Sequence, residues 1–321
     1  MSFTKRTLLA LAALIALTPA ALAFPDRPVQ IIVPWAAGGG MDTVVRIFAA
    51  GFERELGAPV NVVNRTGGGG ITGHTAIATA SPDGYTIGAV SPEIAFYKTM
   101  GLAEVTPDSV DLFSRISLIP AGITVRADAP YKDLNEFLAA VKATPKGTFL
   151  ASGTGPGGSW HIAAGGLLKA AGMEADRLKW VPSQGGAPAL QDVVAGGITV
   201  FTGSPIEAKS LLDAGRVRTI ALMTAERPPT FPEIPTTKEA GVDWTFQNWF
   251  ALVAPKGVPQ DRRRTLFEAA QRTMAKPEVQ EAMKARGITP VWDKPGEFES
   301  YVKDFVARGT AVLKELGLTK E

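Results

Sequence analysis

Ile31-Ile32-Val33-Pro34-Trp35-Ala36-Ala37-Gly38-Gly39-Gly40-Met41-Asp42 is the stretch whose reading decides the fold. An apolar run stops at a proline and a run of glycines follows. Asp42 then stands ahead of Val44, Val45, Ile47 and Phe48, which recur at helical spacing. The pattern reads as strand, loop and helix, with Asp42 or a neighbour as N-cap. A junction of this kind aims unpaired backbone N–H groups and the positive end of a helix dipole at one point. Glycine lets a ligand reach the main chain without a Cβ in the way.

A second junction of the same type is Phe149-Leu150-Ala151-Ser152-Gly153-Thr154-Gly155-Pro156-Gly157-Gly158-Ser159-Trp160-His161. The two loops suggest a common purpose: closing from two sides on one small anion.

Between and beyond them the chain alternates strands and helices. Strands are expected to about Val33, at Val60–Val63, Tyr85–Val90, Thr148–Ala151, Leu178–Val181, Ile198–Phe201, Arg218–Met223 and Phe250–Ala254. Helices are expected at Thr43–Leu56, Thr72–Ala80, around Leu134–Val141, Arg262–Ala275, Glu278–Ala285 and from Phe298. Thr236-Thr237-Lys238-Glu239 has the form of a capping box opening a short helix that stops at Gly241. Such alternation reads as parallel α/β. Ser117 to Val125 is extended and suits a crossing into a second lobe.

In open parallel sheets ligands bind outside the carboxyl ends of the strands. The segments expected there are small and polar: Ser91, then Ser152, Gly153, Thr154 and Gly155, then Gln184 and Gly185, then Thr202 and Gly203. Candidate contacts are therefore these, with Trp35, Ala37, Gly38, Gly39, Gly40, Met41 and Asp42 on the first loop and Ser159 and His161 at the second helix start. Trp35 fits either the core or a pocket wall. His161 fits either a neutral donor to the ligand, since a helix N-terminus disfavours a positive charge there, or packing on the sheet.

Composition narrows the rest. The first 23 residues have a basic start at Lys5 and Arg6, an apolar stretch from Leu8 to Leu17 and Ala21-Leu22-Ala23 before Phe24, the pattern of a secretory signal peptide. Without Lys5 and Arg6 the 33 basic residues become 31, equal to the 31 acidic ones. A near-neutral chain with no basic stripe gives no reason to expect nucleic acid or an anionic membrane surface. The chain has no cysteine, so disulfides, thiolate metal sites and a lipid-anchoring cysteine are excluded. A free periplasmic protein is the expectation, with no cofactor, no metal and a monomeric state.

Chemistry finds little footing. Gly68-Gly69-Gly70-Ile71-Thr72-Gly73-His74-Thr75 approximates a phosphate loop with His74 in the lysine position, and so lacks the charge partner of the β/γ oxygens. A solvent-facing start of a helix is the expectation there. Gly157-Gly158-Ser159-Trp160-His161 breaks the nucleophile-elbow pattern at its last position. The only other histidine is far off in sequence, so a serine hydrolase has no evident base and zinc no H-x₃-H pair. An Asp/Glu pair for hydrolysis stays open on sequence grounds.

Several motifs also carry a resemblance. Pro25-Asp26-Arg27-Pro28-Val29 leading into Ala37-Gly38-Gly39-Gly40-Met41-Asp42, Asn64-Arg65, Pro82-Asp83-Gly84-Tyr85, Gly153-Thr154-Gly155, Gly215-Arg216-Val217-Arg218, Pro232-Glu233-Ile234-Pro235-Thr236, Glu239-Ala240-Gly241 and Trp249 before Ala254-Pro255 stand in an order similar to the Bug family. These are the extracytoplasmic solute receptors of tripartite tricarboxylate transporters. The resemblance implies a two-lobed α/β periplasmic-binding-protein fold of the Venus flytrap type, each lobe a sheet flanked by helices. It implies lobe one at 24–121 plus 226–321 and lobe two at 122–225. It implies no enzyme activity, capture of a di- or tricarboxylate or an aromatic carboxylate by the loops Ala36 to Asp42 and Ser152 to Ser159, and integral-membrane transporter subunits as partners. Trp160-His161 resembles the tricarboxylate branch. Relatives that bind amino acids carry aspartates where Thr199-Val200-Phe201-Thr202 stands here, which favours a cargo bearing carboxylates alone. The rivals are an α/β enzyme acting on a carboxylate or phosphate ester, and an orphan sensory receptor.

Overall fold

The computed structural model describes residues 24–183, 185–294 and 296–320, so the leader-like segment and Gln184 lie outside the described residues. Two sheets organise the chain. The first has six strands: β1 (Val29–Val33), β2 (Val60–Asn64), β3 (Thr86–Val90), β4 (Val110–Pro120), β10 (Gln247–Pro255) and β11 (Thr289–Pro290), in the spatial order β11-β4-β10-β3-β1-β2. The second has five: β5 (Gly122–Arg126), β6 (Leu150–Ser152), β7 (Lys179–Trp180), β8 (Val200–Gly203) and β9 (Val217–Leu222), in the order β7-β6-β8-β5-β9.

Neither sheet is wholly parallel. β1 pairs parallel with β2 and β3, and β6 pairs parallel with β7 and β8. β10 runs antiparallel to β3 and β4, and β5 antiparallel to β8 and β9. The parallel expectation therefore holds only for the units joined by helices. Most of β4 went unread because Asp111, Ser114 and Arg115 interrupt its apolar pattern. Arg115 is satisfied by Asp293, whose carboxylate accepts from its Nη2 at 2.6 Å across 178 residues. No local pattern shows such a partner.

Helix α1 (Gly40–Leu56) buries Val44, Val45, Phe48 and Phe52 and ends at Gly57, whose left-handed φ of 73° lets its N–H reach the Glu53 carbonyl at 3.0 Å. A 3-10 turn, Gly68–Gly70, leads into α2 (Ile71–Ala78), and another, Pro92–Ala95, follows β3. Across the second sheet lie α3 (Leu134–Ala143), α4 (Ser159–Ala170), α5 (Gly186–Ala195) and α6 (Pro205–Asp213). The chain finishes with α7 (Gln260–Ala275), α8 (Pro277–Lys284) and α9 (Glu297–Glu315).

At Thr236 the capping-box bonds form, with Glu239 N–H donating to Thr236 Oγ1 at 3.1 Å and Thr236 N–H to Glu239 Oε2 at 2.6 Å. No helix follows. Thr236 is bridged to Leu222 of β9, and Val242 N–H already returns to the Thr237 carbonyl at 2.9 Å, so the chain reverses after one turn.

Beneath the first sheet, Trp249 is fully buried and meets Phe298 and Phe305 edge to face, at 5.4 and 5.8 Å between centroids. α9 also reaches the second sheet's helices. Its Val312 and the cap residue Leu316 just beyond it lie against Gly165 of α4, and Trp244 Nε1 donates to the Ala163 carbonyl at 3.1 Å.

Candidate functional site

The first loop is braced from within. The helix cap is Gly39, and Asp42 stands three residues later, buried. Its carboxylate accepts from Gly38 N–H at 2.8 Å, Asn64 Nδ2 at 2.9 Å and Arg46 Nε at 2.9 Å. Burial by itself would raise the Asp42 pKa, but the bonds from Arg46, Gly38 and Asn64 outweigh it and hold the group below its usual value. Asp42 thus shapes the loop with every bond it makes here. Asn64 also donates to the Trp35 carbonyl at 2.8 Å, and Gly38 takes a φ of +79° that only glycine adopts without strain.

What this bracing leaves over are backbone donors. Among the described residues no acceptor reaches the N–H of Gly40 or Met41, the first two positions of α1. The Met41 side chain is buried, so only its main chain faces the loop.

Behind the loop runs a chain of hydrogen bonds that sequence reasoning missed. Tyr97 hydroxyl donates to the Gly69 carbonyl at 2.8 Å, so its oxygen accepts from His74 Nδ1 at 2.9 Å. His74 Nε2 then accepts from Ser91 N–H at 3.2 Å, and Ser91 Oγ accepts from Trp35 Nε1 at 3.1 Å. His74 is fully buried rather than at a solvent-facing helix start, and burial pulls its pKa down to about 3. It is a neutral imidazole of fixed tautomer. The Ser91 hydroxyl keeps its own proton free to donate. Trp35 answers to both of its readings: its ring packs on the core while its indole N–H fixes Ser91.

The second loop is held differently. Ser152, buried at the end of β6, donates from Oγ to the Val181 carbonyl at 2.7 Å. Gly153 needs its missing side chain, since a Cβ would lie 2.5 Å from the Thr202 carbonyl oxygen. The Thr154 carbonyl accepts from Trp180 Nε1 at 3.1 Å and from Ser183 N–H at 3.3 Å. His161 Nδ1 accepts from Gly157 N–H at 3.0 Å and its ring stacks on Trp180, 4.4 Å between centroids. Burial lowers its pKa to about 4, so burial keeps it neutral, with the proton on Nε2. The ring borders a shallow outer cavity with Lys146, Asp176 and Leu316, and its structural task is to hold the loop.

Thr202 and Gly203 are strand residues of β8 rather than loop residues, paired with Ile123 and Gly122. Thr202 Oγ1 donates to the Trp160 carbonyl at 3.2 Å. The strand runs on because β5, remote in sequence, supplies its antiparallel partner. Gly185 caps α5, with φ 147°. Glu207 lies against the next residue, Gly186, where a Cβ would stand 2.5 Å from its Oε1, and the bond its carboxylate accepts from Ser204 N–H closes the cap of α6. Burial raises the Glu207 pKa to about 7 against the lowering effect of that bond.

The backbone N–H groups of Thr154, Gly155 and Trp160 find no acceptor among the described residues, as at Gly40 and Met41. Gly40 and Gly155 share a further property. Neither has a positive φ, and a Cβ on either would meet nothing within 4 Å. Packing and backbone geometry do not require glycine there.

A carboxylate from the first sheet's side hydrogen-bonds to the second loop. Glu93, in the 3-10 turn after β3, places Oε1 3.3 Å from Ser159 N–H and 2.6 Å from Ser159 Oγ, at the start of α4. Ser159 donates both bonds. Sequence reasoning passed over Glu93; its one signal was a carboxylate three residues beyond the end of an apolar strand.

A sequence model of one family, described as the tripartite tricarboxylate transporter family receptor, matches residues 44–318. A protein encoded in the tcbD-tcbE intergenic region of Pseudomonas sp. (strain P51) is 32% identical over 301 residues, 92% of this chain and 88% of that protein. Among solved structures, MatC of Rhodopseudomonas palustris with bound malate is 26% identical with a TM-score of 0.78, covering 90% of this chain and 100% of that one. Another R. palustris protein, solved with adipate, is also 26% identical, with a TM-score of 0.80 over 92% of this chain and 99% of that one.

Proposed function

Because the chain belongs to the receptor family of tripartite tricarboxylate transporters, whose members are solute-binding receptors and not enzymes, we propose that it captures a small organic carboxylate between its two sheets. We further infer that it does so in the periplasm, as a monomer, and hands the cargo to membrane transporter subunits. The division we favour assigns 24–121 plus 226–321 to one lobe and 122–225 to the other. Sheet membership supports it, since β1 to β4, β10 and β11 share one sheet and β5 to β9 the other.

The observation that carries the reading is the pair of glycine turns with unclaimed N–H groups, Gly40 and Met41 on one side and Thr154 and Gly155 on the other. A hydrogen bond to a charged group contributes about 1.5–3 kcal/mol, and micromolar affinity needs about 8 kcal/mol. Four or five donors reach that range after losses to ordering. No lysine or arginine stands in 34–42, 91–95, 152–159 or 202–205. Uncharged donors of this kind bind a carboxylate without the strong hold of a buried ion pair, which suits a carrier that must release. The malate and adipate of the two R. palustris proteins are dicarboxylates, and cargo of that class fits here.

Native mass spectrometry of the purified protein, followed by calorimetry with C4 to C6 organic acids, tests the reading. An intact acid bound at one site is expected. Conversion of the acid, or no acid bound, would overturn it.

A further inference from the structure

We propose that the outer cavity beside His161 and Trp180 is a second ligand site, separate from the cargo cleft, that takes a small monocarboxylate with an apolar body and passes its occupancy to the second glycine loop. The site itself stands independently of the receptor reading above; only its bearing on cargo rests on that reading.

The cavity measures about 290 Å³. Pockets for drug-sized ligands occupy about 300–1,000 Å³, so this one suits a molecule of a single ring. It lies at the edge of the second sheet, where β7 pairs with β6 alone among the described strands, and Leu316 at the end of α9 also lines it. Two of its walls are the rings that hold the second loop. His161 Nδ1 accepts from Gly157 N–H at 3.0 Å, and Trp180 Nε1 donates to the Thr154 carbonyl at 3.1 Å. The two rings stack, with 4.4 Å between centroids and 15° between planes. A molecule seated against them is one side chain away from two main-chain atoms of the loop.

What the lining offers sets the ligand. With Nδ1 occupied as an acceptor, the proton of the neutral His161 ring is on Nε2, which has no partner among the described residues and is not sealed from solvent. Of the two lysines, Lys146 is committed to Asp176 at 2.7 Å and to Glu174 at 3.2 Å. Lys179 is exposed and makes no ion pair among the described residues. One unclaimed cation and one unclaimed N–H match a single carboxylate. Leu178, Leu316 and Trp180 supply apolar surface for the rest of the molecule. A second carboxylate would find no further donor there and would face Asp176, so the class differs from a dicarboxylate cargo. An anion on Nε2–H also polarises the ring and strengthens Nδ1 as the acceptor for Gly157, because hydrogen bonds in a chain reinforce one another.

Carbon–proton NMR of the histidine rings in the purified protein tests the assignment. His161 and His74 are the only histidines, and His161→Asn identifies the signals. Benzoate should move the His161 signal and leave that of His74, with a millimolar dissociation constant or tighter. Benzyl alcohol lacks the charge and terephthalate adds a second one. Each should bind roughly tenfold more weakly than benzoate, the worth of about one charge-assisted hydrogen bond. Lys179→Glu alters an exposed side chain, so it should weaken benzoate by roughly tenfold or more with no change in melting temperature. Hydrogen exchange at the Gly157 amide should slow severalfold when benzoate is bound. Gly40→Val should leave the His161 response unchanged, because the first loop is not part of this cavity.

An unmoved His161 signal would overturn the site, and equal shifts at both histidines would reduce benzoate to an unspecific additive. Equal binding of benzyl alcohol or terephthalate, or full affinity in Lys179→Glu, would overturn the monocarboxylate class. Unchanged exchange at Gly157 with benzoate bound would overturn the transmission to the loop. Loss of the His161 shift in Gly40→Val would put benzoate in the cargo cleft, which removes the outer site and leaves the receptor reading intact. A protein that binds benzoate at His161 but none of the C4 to C6 acids would sink the receptor reading and keep this one.

Discussion

Asp42 Oδ2 accepts the Gly38 N–H at 2.8 Å, so the helix that opens after the first glycine turn reaches back and fixes the turn's shape. The same carboxylate holds Arg46 and Asn64. The loop is thereby set before any ligand arrives, and binding need not supply the ordering cost. Asp42→Ala should destabilise the protein by about 2 kcal/mol in urea unfolding, since Arg46 stays half exposed and regains water. It should also weaken cargo binding through the loosened loop. Unchanged affinity alongside lowered stability would confine Asp42 to the fold.

Gly40 and Gly155 test the backbone-donor idea directly. Gly40→Val and Gly155→Val place side chains in space the protein leaves empty. Melting temperatures should move little, while calorimetry should register loss of binding by a hundredfold or so, about 2.7 kcal/mol. Gly153→Ala is the contrasting control. Its Cβ would press on the Thr202 carbonyl at 2.5 Å, so stability itself should fall.

Both histidines give stability a dependence on acidity. His74 and His161 are held neutral by burial, with pKa values of about 3 and 4, whereas an unfolded chain protonates them near about 6.5. Their contribution is complete above that value and is lost as pH falls toward the folded values. Each costs up to about 1.4 kcal/mol per pH unit in that window. Urea unfolding at pH 7 and pH 5 should show the decline, and His161→Asn should make it shallower.

Glu207 acts with the opposite sign. Its folded pKa is raised to about 7 by burial, against an ordinary value of 4.5. The unfolded chain releases that proton first, so stability is greatest below 4.5 and declines as pH rises through 7. Glu207→Gln should remove this decline and leave the protein more stable than wild type at pH 8. A variant less stable at pH 8 would mean that the carboxylate's bond to Ser204 N–H outweighs its burial.

The effect of these groups on binding separates from their effect on folding. His74 touches no free donor itself but orients Ser91 through its N–H, and Ser91 in turn accepts from Trp35. His74→Phe should lower stability, because Ser91 N–H and Tyr97 lose buried partners at about 1–3 kcal/mol each. Its effect on affinity should be smaller than that of Gly40→Val.

The sequence by itself determined the strand–glycine–helix junctions, the helices with apolar stripes and the family, because each depends on neighbours within a few residues or on motif order. β1, α1 and α3 fell where periodicity placed them, and the two glycine turns were legible from Gly38 to Gly40 and from Gly153 to Gly158. Only the tertiary structure decided what depends on partners far along the chain. It extended β4 through polar residues by matching Arg115 with Asp293, and it carried Thr202 and Gly203 into a strand by supplying β5. It buried His74 against Tyr97, 23 residues away, and brought Glu93 to Ser159 across 66. A hydrogen bond satisfies a buried polar group wherever its partner lies in sequence, so the meaning of such a residue is settled by the fold and not by its neighbours.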